Sequence, residues 1–212
     1  MKPVLLSLVI ALLMVGCGDG IVDYEDLEYR NGVAYLPNEE TPFTGRAESF
    51  YRNGQKRREV NFKDGKQDGL WTWWNENGQK EEEENWKDGM EDGLWTYWYE
   101  NGQKREEGNL KDGKSVGLLT KWWKNGQKGS EDNYKDGRQD GLSTWWYKNG
   151  QKRQESNWKD GKLMSTVVLK PNGEKCPVTN IDKDGNGVVV VYDENGTELF
   201  RFTYKDGELV RD

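Results

Sequence analysis

The chain has 212 residues, of which 33% are hydrophobic and 33% charged, with 26 glycines, a composition that leaves too little apolar surface for a thick two-layer core. A formal net charge of -7 argues against nucleic acid as a partner, because phosphate needs a basic face, and the absence of histidine removes histidine-dependent triads and histidine zinc sites. All 11 tryptophans fall between Trp71 and Trp158 at recurring intervals, which predicts a folded chain rather than a disordered one.

Met1-Lys2 gives a short positive start, and Val4 to Val15 is an apolar run broken only by Ser7. As a helix this run rises about 18 Å, short of the roughly 30 Å bilayer core, so residues 1–16 read as a secretion signal. Met14-Val15-Gly16-Cys17 resembles the bacterial lipobox, with Met14 standing where leucine is usual. That resemblance implies cleavage before Cys17 and acylation of it, and two or more acyl chains suffice for stable anchoring. Membrane attachment through this lipid is therefore expected, and Gly18 after the cysteine points to the outer membrane in a cell that has two. Residues 17–28 are acidic and glycine-bearing and read as a tether.

Residues 29–52 read as a degenerate front cap. Tyr29-Arg30-Asn31-Gly32 repeats an Asn-Gly turn, and the spacing from Gly45 to Asn53-Gly54 places Phe50 in the column of Trp74.

From 53 to 162 the chain is a tandem array. NGQK occurs at 53, 77, 101, 125 and 149, and KDG at 63, 87, 111, 135 and 159, every interval being 24; two motifs locked to one period define a repeat. Asn-Gly and Asp-Gly both favour hairpin turns because both accept positive φ. Each unit therefore reads as a β-hairpin: a strand from Gln55 to Phe62, a loop from Lys63 to Gly69, and a strand from Leu70 to Asn75. The Asn-Gly turn then leads antiparallel into the next unit.

Alternation sorts the second strand of each unit into faces. Leu70, Leu94, Leu118 and Leu142, the threonines two residues on, and Trp74, Trp98, Trp122 and Trp146 share one face. This face is expected to be the packed one, met across the loop by Phe62, Trp86, Leu110, Tyr134 and Trp158. The opposite face carries Trp71, Trp73, Trp95, Tyr97, Tyr99, Trp123, Trp145 and Tyr147, and the glutamates in the register of Glu59 and asparagines in that of Asn61 are expected among them. Two readings stand side by side for that strip. The rings stack on one another across strands under the stems of Lys and Arg, or they form a binding surface for sugars or a protein strand.

Residues 163–212 read as back caps, with strands at 188–192 and 197–204. Asp182, Asp184 and Asn186 match the first half of an EF-hand loop, but a strand follows where that motif needs a helix, so a hairpin turn is the expectation and calcium the alternative. Cys176 is expected to be a semi-buried structural thiol. Adjacent glutamates such as Glu81 to Glu84 alternate faces in a strand and do not converge on an ion.

The sequence of strand, KDG, G-L-W-T-x-W and NGQK resembles the bacterial variant of the MORN repeat, of the type found in YwqK-like antitoxins, over about residues 29–207. The resemblance implies an all-β, elongated, single-layer antiparallel meander of tandem hairpins. It implies little about activity, since such arrays serve mostly as interaction scaffolds. The functional expectation is a non-enzymatic cell-envelope lipoprotein without a cofactor, whose array binds a protein or an envelope polysaccharide. The alternative is a self-assembling or antitoxin-like protein that holds a toxin.

Overall fold

The structure is a computed structural model that describes residues 20–210. The signal segment 1–16 and Cys17 lie outside the described residues. Strands β1 (Ile21–Asp23), β4 (Gly45–Phe50), β5 (Lys56–Lys63), β6 (Lys66–Trp74), β7 (Lys80–Lys87), β8 (Met90–Trp98), β9 (Lys104–Lys111), β10 (Lys114–Trp122), β11 (Lys128–Lys135), β12 (Arg138–Trp146), β13 (Lys152–Lys159) and β14 (Lys162–Val168) form one open sheet. Its order is β1-β4 and then sequential to β14, each pair antiparallel except the parallel β1–β4. A hairpin of β2 (Glu28–Arg30) and β3 (Val33–Tyr35) lies at the front, and β15 (Asn180–Ile181), β16 (Gly187–Tyr192), β17 (Glu198–Lys205) and β18 (Glu208–Leu209) make a second, four-stranded sheet at the back. The single-layer antiparallel meander of hairpins is thus the observed architecture.

Two turn types alternate along it. At Asp64–Gly65 both residues have positive φ, 49° and 74°, so the hairpin closes through a two-residue type I′ turn whose twist suits the strands. The Asn-Gly turns are three-residue loops: Gly78 N–H donates to Asn75 O and Asn75 N–H to Gln79 O, both at 2.9 Å, with Gly78 at φ 77°. Asn31–Gly32, with φ of 52° and 80°, belongs to the first type rather than to the Asn-Gly loops it resembles in sequence.

The tight turn corrects the expected loop from Lys63 to Gly69, because β6 starts at Lys66, and it also corrects the faces. Across it Phe62 pairs with Gln67 and Val60 with Trp71, so β6 carries two extra residues around Gly69, which has φ 105°. Phe62 and its equivalents therefore lie with Trp71 and Trp73, and not with the Leu, Thr and Trp74 columns. Trp71 and Trp86 rings stand 5.6 Å apart. The glutamates pair instead with the threonines, as in Glu59 with Thr72 and Glu83 with Thr96, and Asn61, Asn85 and Asn133 donate to the carbonyls of Leu70, Leu94 and Leu142 at 2.6–2.7 Å.

The leucine column is not packed either. Leu70, Leu94, Leu118 and Leu142 are 40, 45, 43 and 45% exposed, because none of the described residues lies over that face. What holds it is a repeated polar ladder. Lys56 bonds Glu59 at 2.7 Å, and Lys80–Glu83, Lys104–Glu107, Lys128–Glu131 and Lys152–Glu155 repeat that pair. The same ammonium groups sit over the next tryptophan, Lys56 on Trp74, Lys80 on Trp98, Lys104 on Trp122 and Lys128 on Trp146, at 5.6–6.0 Å. Exposed pairs of this kind contribute only about 0–1 kcal/mol each, so register comes from their repetition.

Two apolar cores close the ends of the sheet on its other face. Leu27, Ala34, Phe43, Ala47, Val60 and Phe62 form the front core, with Tyr24 and Trp71 against it. Residues 20–27 are therefore part of the cap, strand β1 and a short 3₁₀ turn, and not a tether. At the back, Leu163 and Val168 of β14 pack with Cys176, Val189, Val190, Val191 and Tyr192. β14 continues the main sheet beyond the expected end of the array at 162, while β16 and β17 occupy the two strand segments expected there.

Candidate functional site

The repeat columns divide by face. Lys56, Glu59, Asn61, Leu70, Thr72 and Trp74 recur unchanged in the next three units, and all belong to the ladder just described. The other face is where units differ: Arg57, Glu81, Arg105, Gly129 and Arg153 share one position, and Val60, Glu84, Gly108, Asp132 and Ser156 another. Trp73, Tyr97, Lys121 and Trp145 share a third.

At the front of this face the aromatics are spoken for. Trp71 lies 6.3 Å from Trp73, and Arg57 sits over Trp73 at 5.1 Å. In the next unit Trp95 and Tyr97 rings are 4.9 Å apart. Buried Glu84 accepts from Tyr97 Oη at 2.8 Å and from Trp86 Nε1 at 3.2 Å. Burial and then the Glu84 charge raise the carboxyls of Glu82 and Glu91 above the ordinary range. Burial and the bond to Glu84 likewise raise the Tyr97 phenol. This stretch is aromatic and acidic.

Further along, the bulk thins out. Gly108 lets Trp95 and Leu119 close over the backbone, since a Cβ there would stand 2.9 Å from Trp95 Cζ2 and 3.2 Å from Leu119 Cδ1. Gly129 and Ser130 replace the long side chains of other units, and a cleft of about 350 Å³ opens between Tyr99, Trp123, Tyr134 and Trp145. Arg105, Arg153, Lys121, Glu106 and Asp132 also line it. Asp132 is buried and accepts from Ser143 Oγ at 2.5 Å and from Trp145 Nε1 and Gln139 Nε2 at 3.2 Å, so neutral donors hold its carboxylate. A second cleft of about 370 Å³ adjoins it, shares Gln139, Trp145 and Arg153, and is walled on the far side by Phe200, Phe202 and Tyr204 of β17.

Of the aromatic strip read from the sequence, Tyr99, Trp123 and Trp145 meet in the cleft, and Trp71 packs against the front core. Tyr147 is buried, its hydroxyl donating to Leu169 O at 2.8 Å, and offers no surface. Sequence reasoning missed Arg105, Lys121, Asp132 and Arg153, and it set Tyr134, which lines the cleft, on the packed face. The available signal was one-sided variation, with Lys121, Gly129 and Ser130 departing from their columns together while Thr120, Trp122 and Glu131 do not.

Residues 182–186 form the hairpin turn expected there. Asp182 Oδ1 accepts the backbone N–H groups of Asp184 and Asn186, both at 2.9 Å, in a turn of the Asn-Gly kind. Among the described residues no three acidic, cysteine or histidine side chains are placed to hold a metal. Cys176 is buried, its Sγ 3.0 Å from Tyr192 Oη.

Fold and surface together define an open repeat scaffold, one face a fixed ladder and the other a variable, cleft-bearing surface. Four stretches of it, residues 43–64, 67–88, 91–112 and 139–160, match the MORN repeat variant. No curated protein matches the chain. The unit at 115–136 falls between matched ones, and it supplies Lys121, Trp123, Gly129, Ser130, Asp132 and Tyr134 to the cleft.

Proposed function

We propose that this protein is a non-enzymatic binding scaffold of the bacterial cell envelope, lipid-anchored at Cys17, that holds a protein or an envelope polysaccharide on its aromatic face. The observation that carries this reading is the division of labour between faces. One is invariant and satisfies itself, and the other varies and opens into two contiguous clefts lined by rings and hydrogen-bonding groups, the anatomy of a ligand site. Self-assembly is the weaker reading, because the main sheet ends at the front in an edge strand of only 3 residues and is partly covered at the back. β1 pairs with β4, and on the β14 side Cys176 N–H donates to Val168 O and Leu163 N–H to Gly207 O, both within 2.9 Å.

Anchoring fits the fold as well. Ile21 begins the first strand four residues after Cys17, so an acylated Cys17 would hold the front edge of the sheet close to the bilayer, in the outer membrane where there are two. The test is retention of the detergent-extracted full chain on immobilised envelope polysaccharide and envelope protein fractions, beside a Tyr99→Ala/Trp123→Ala/Trp145→Ala variant. The parent is expected to be retained and the triple variant to lose retention while unfolding as cooperatively as the parent. Equal retention of both would remove the aromatic face from the account. In the same extracts Cys17→Ala is expected to leave the membrane fraction.

A further inference from the structure

The clefts sit where the chemistry of the face changes sign. The chain carries -7 overall, and the unit before the cleft presents Glu81, Glu82, Glu84 and Glu91. Around the first cleft stand three cations, Arg105, Lys121 and Arg153, against two carboxylates, Glu106 and Asp132. Lys121 Nζ pairs with Glu106 at 3.2 Å, and Asp132 is held by its three neutral donors. Arg105 Nε approaches Glu106 only to 4.0 Å, and among the described residues Arg153 meets no carboxylate within ion-pair distance. Both guanidiniums lie over rings instead, Arg105 on Tyr97 at 5.2 Å and Arg153 on Tyr147 at 5.7 Å.

A second observation points the same way. Five buried side-chain nitrogens among the described residues lack an acceptor in the protein: Trp71 Nε1, Arg105 Nε, Trp123 Nε1, Arg153 Nε and Trp158 Nε1. The residues that carry the last four line the two adjoining clefts. A buried donor without an acceptor is costly, and every one of these is a donor set just beneath the cleft floor, so the lining is rich in donors and short of acceptors; the exposed end of Arg105, whose side chain is 43% exposed, is what a ligand supplying oxygen acceptors would meet.

We infer that this groove binds a polysaccharide of anionic sugars, with a ring seated between Trp123 and Trp145 and its acidic group met by Arg105 and Arg153. This deepens the binding-scaffold reading and rests on it. A guanidinium presents parallel N–H groups that match the two oxygens of a carboxylate. A sugar ring presents apolar C–H faces to the flanking rings and hydroxyls to Lys121, Glu106 and Gln139. An acidic peptide fits less well, because the strands lining the groove are paired on both sides and leave no backbone edge for strand addition. The glutamates of the preceding unit repel an anionic chain, so the strand runs from the first cleft towards Trp158, Phe200 and Phe202.

The full chain in detergent, titrated with polygalacturonate, with its fully methyl-esterified counterpart and with polyglutamate, tests this through tryptophan fluorescence. Polygalacturonate is expected to bind at least tenfold more tightly than the ester, with affinity falling as salt rises. Arg105→Gln and Arg153→Gln are each expected to weaken polygalacturonate about tenfold and the ester by less than twofold, and Arg153→Lys to keep most of the binding. Urea midpoints equal to the parent's establish that these variants fold. Equal binding of acid and ester, unmoved by the arginine variants, would overturn the anionic preference and leave the aromatic scaffold standing. Tighter binding of polyglutamate would replace the sugar by a peptide. No binding of any polymer would overturn the inference, and the retention experiment then decides separately whether the scaffold reading falls with it.

Discussion

A Cβ added at Gly113 would meet nothing within 4 Å, yet the residue sits at φ 72°, a region that costs other residues about 1–2 kcal/mol. Gly65 occupies the same place in the first turn at φ 74°, and there a Cβ would lie 2.3 Å from Val33 Cγ1 and 2.8 Å from Ala34 O. Gly113→Ala is accordingly expected to cost about 1 kcal/mol, the strain of the turn alone. Gly65→Ala should cost clearly more, because the front hairpin must move away. Urea unfolding of the two variants separates these contributions, and equal losses would mean that the β2–β3 hairpin does not rest on the array. At this scale the sequence was readable where one residue type has one conformational use, as with Asp-Gly. It misled where one dipeptide has two uses: Asn31-Gly32 closes a two-residue turn, and Asn77-Gly78 ends a three-residue one.

Successive hairpins are tied at their turns by an element that recurs with the period. Asp68, Asp92 and Asp140 each accept the backbone N–H of the aspartate in the next Asp-Gly turn, Asp88, Asp112 and Asp160, at 3.0–3.3 Å. Asp92 and Asp140 also take Lys111 and Lys159 at 2.7 and 3.0 Å, and these bonds hold both carboxyls below the ordinary range. At the fourth turn Val116 stands in the aspartate's place and offers Asp136 and Lys135 no acceptor. Val116→Asp is therefore expected to raise stability by about 0.5–1 kcal/mol, the yield of one restored hydrogen bond on wet surface. The gain should be lost in acid, as pH falls through the lowered range of the new carboxylate and it protonates. A midpoint in urea that does not rise at pH 7 would show that the tie is ornamental. Strands and turns were legible because two motifs repeat five times. The faces were not, because strand phase across a turn depends on the number of residues the turn absorbs. A seven-residue loop and a two-residue turn with an extra pair around Gly69 put Phe62 on opposite sides, and composition alone does not choose between them.

Seen whole, the molecule is a row of hairpins in which each unit touches its neighbours, so stability is approximately a sum over units and their interfaces. The front core and the back sheet blunt the two edges that such a row would otherwise expose. Between them one face repeats the same ladder from unit to unit, and the other is free to change. That freedom made the aromatic strip visible in the sequence while hiding the cleft, which arises from what is missing at Gly129 and Ser130 rather than from any motif present.

The central claim is that the variable face is a set of interchangeable positions on a fixed frame. It is tested most directly by the urea midpoint of Leu119→Trp/Lys121→Tyr/Ser130→Glu, which gives the divergent unit the residues its predecessor carries at Trp95, Tyr97 and Glu106. The account predicts one cooperative transition with a midpoint at or above the parent's, since the changes at 121 and 130 fill the cleft and all three leave the ladder untouched. A broadened transition, or a midpoint lower by more than about 1 kcal/mol of stability, would contradict it.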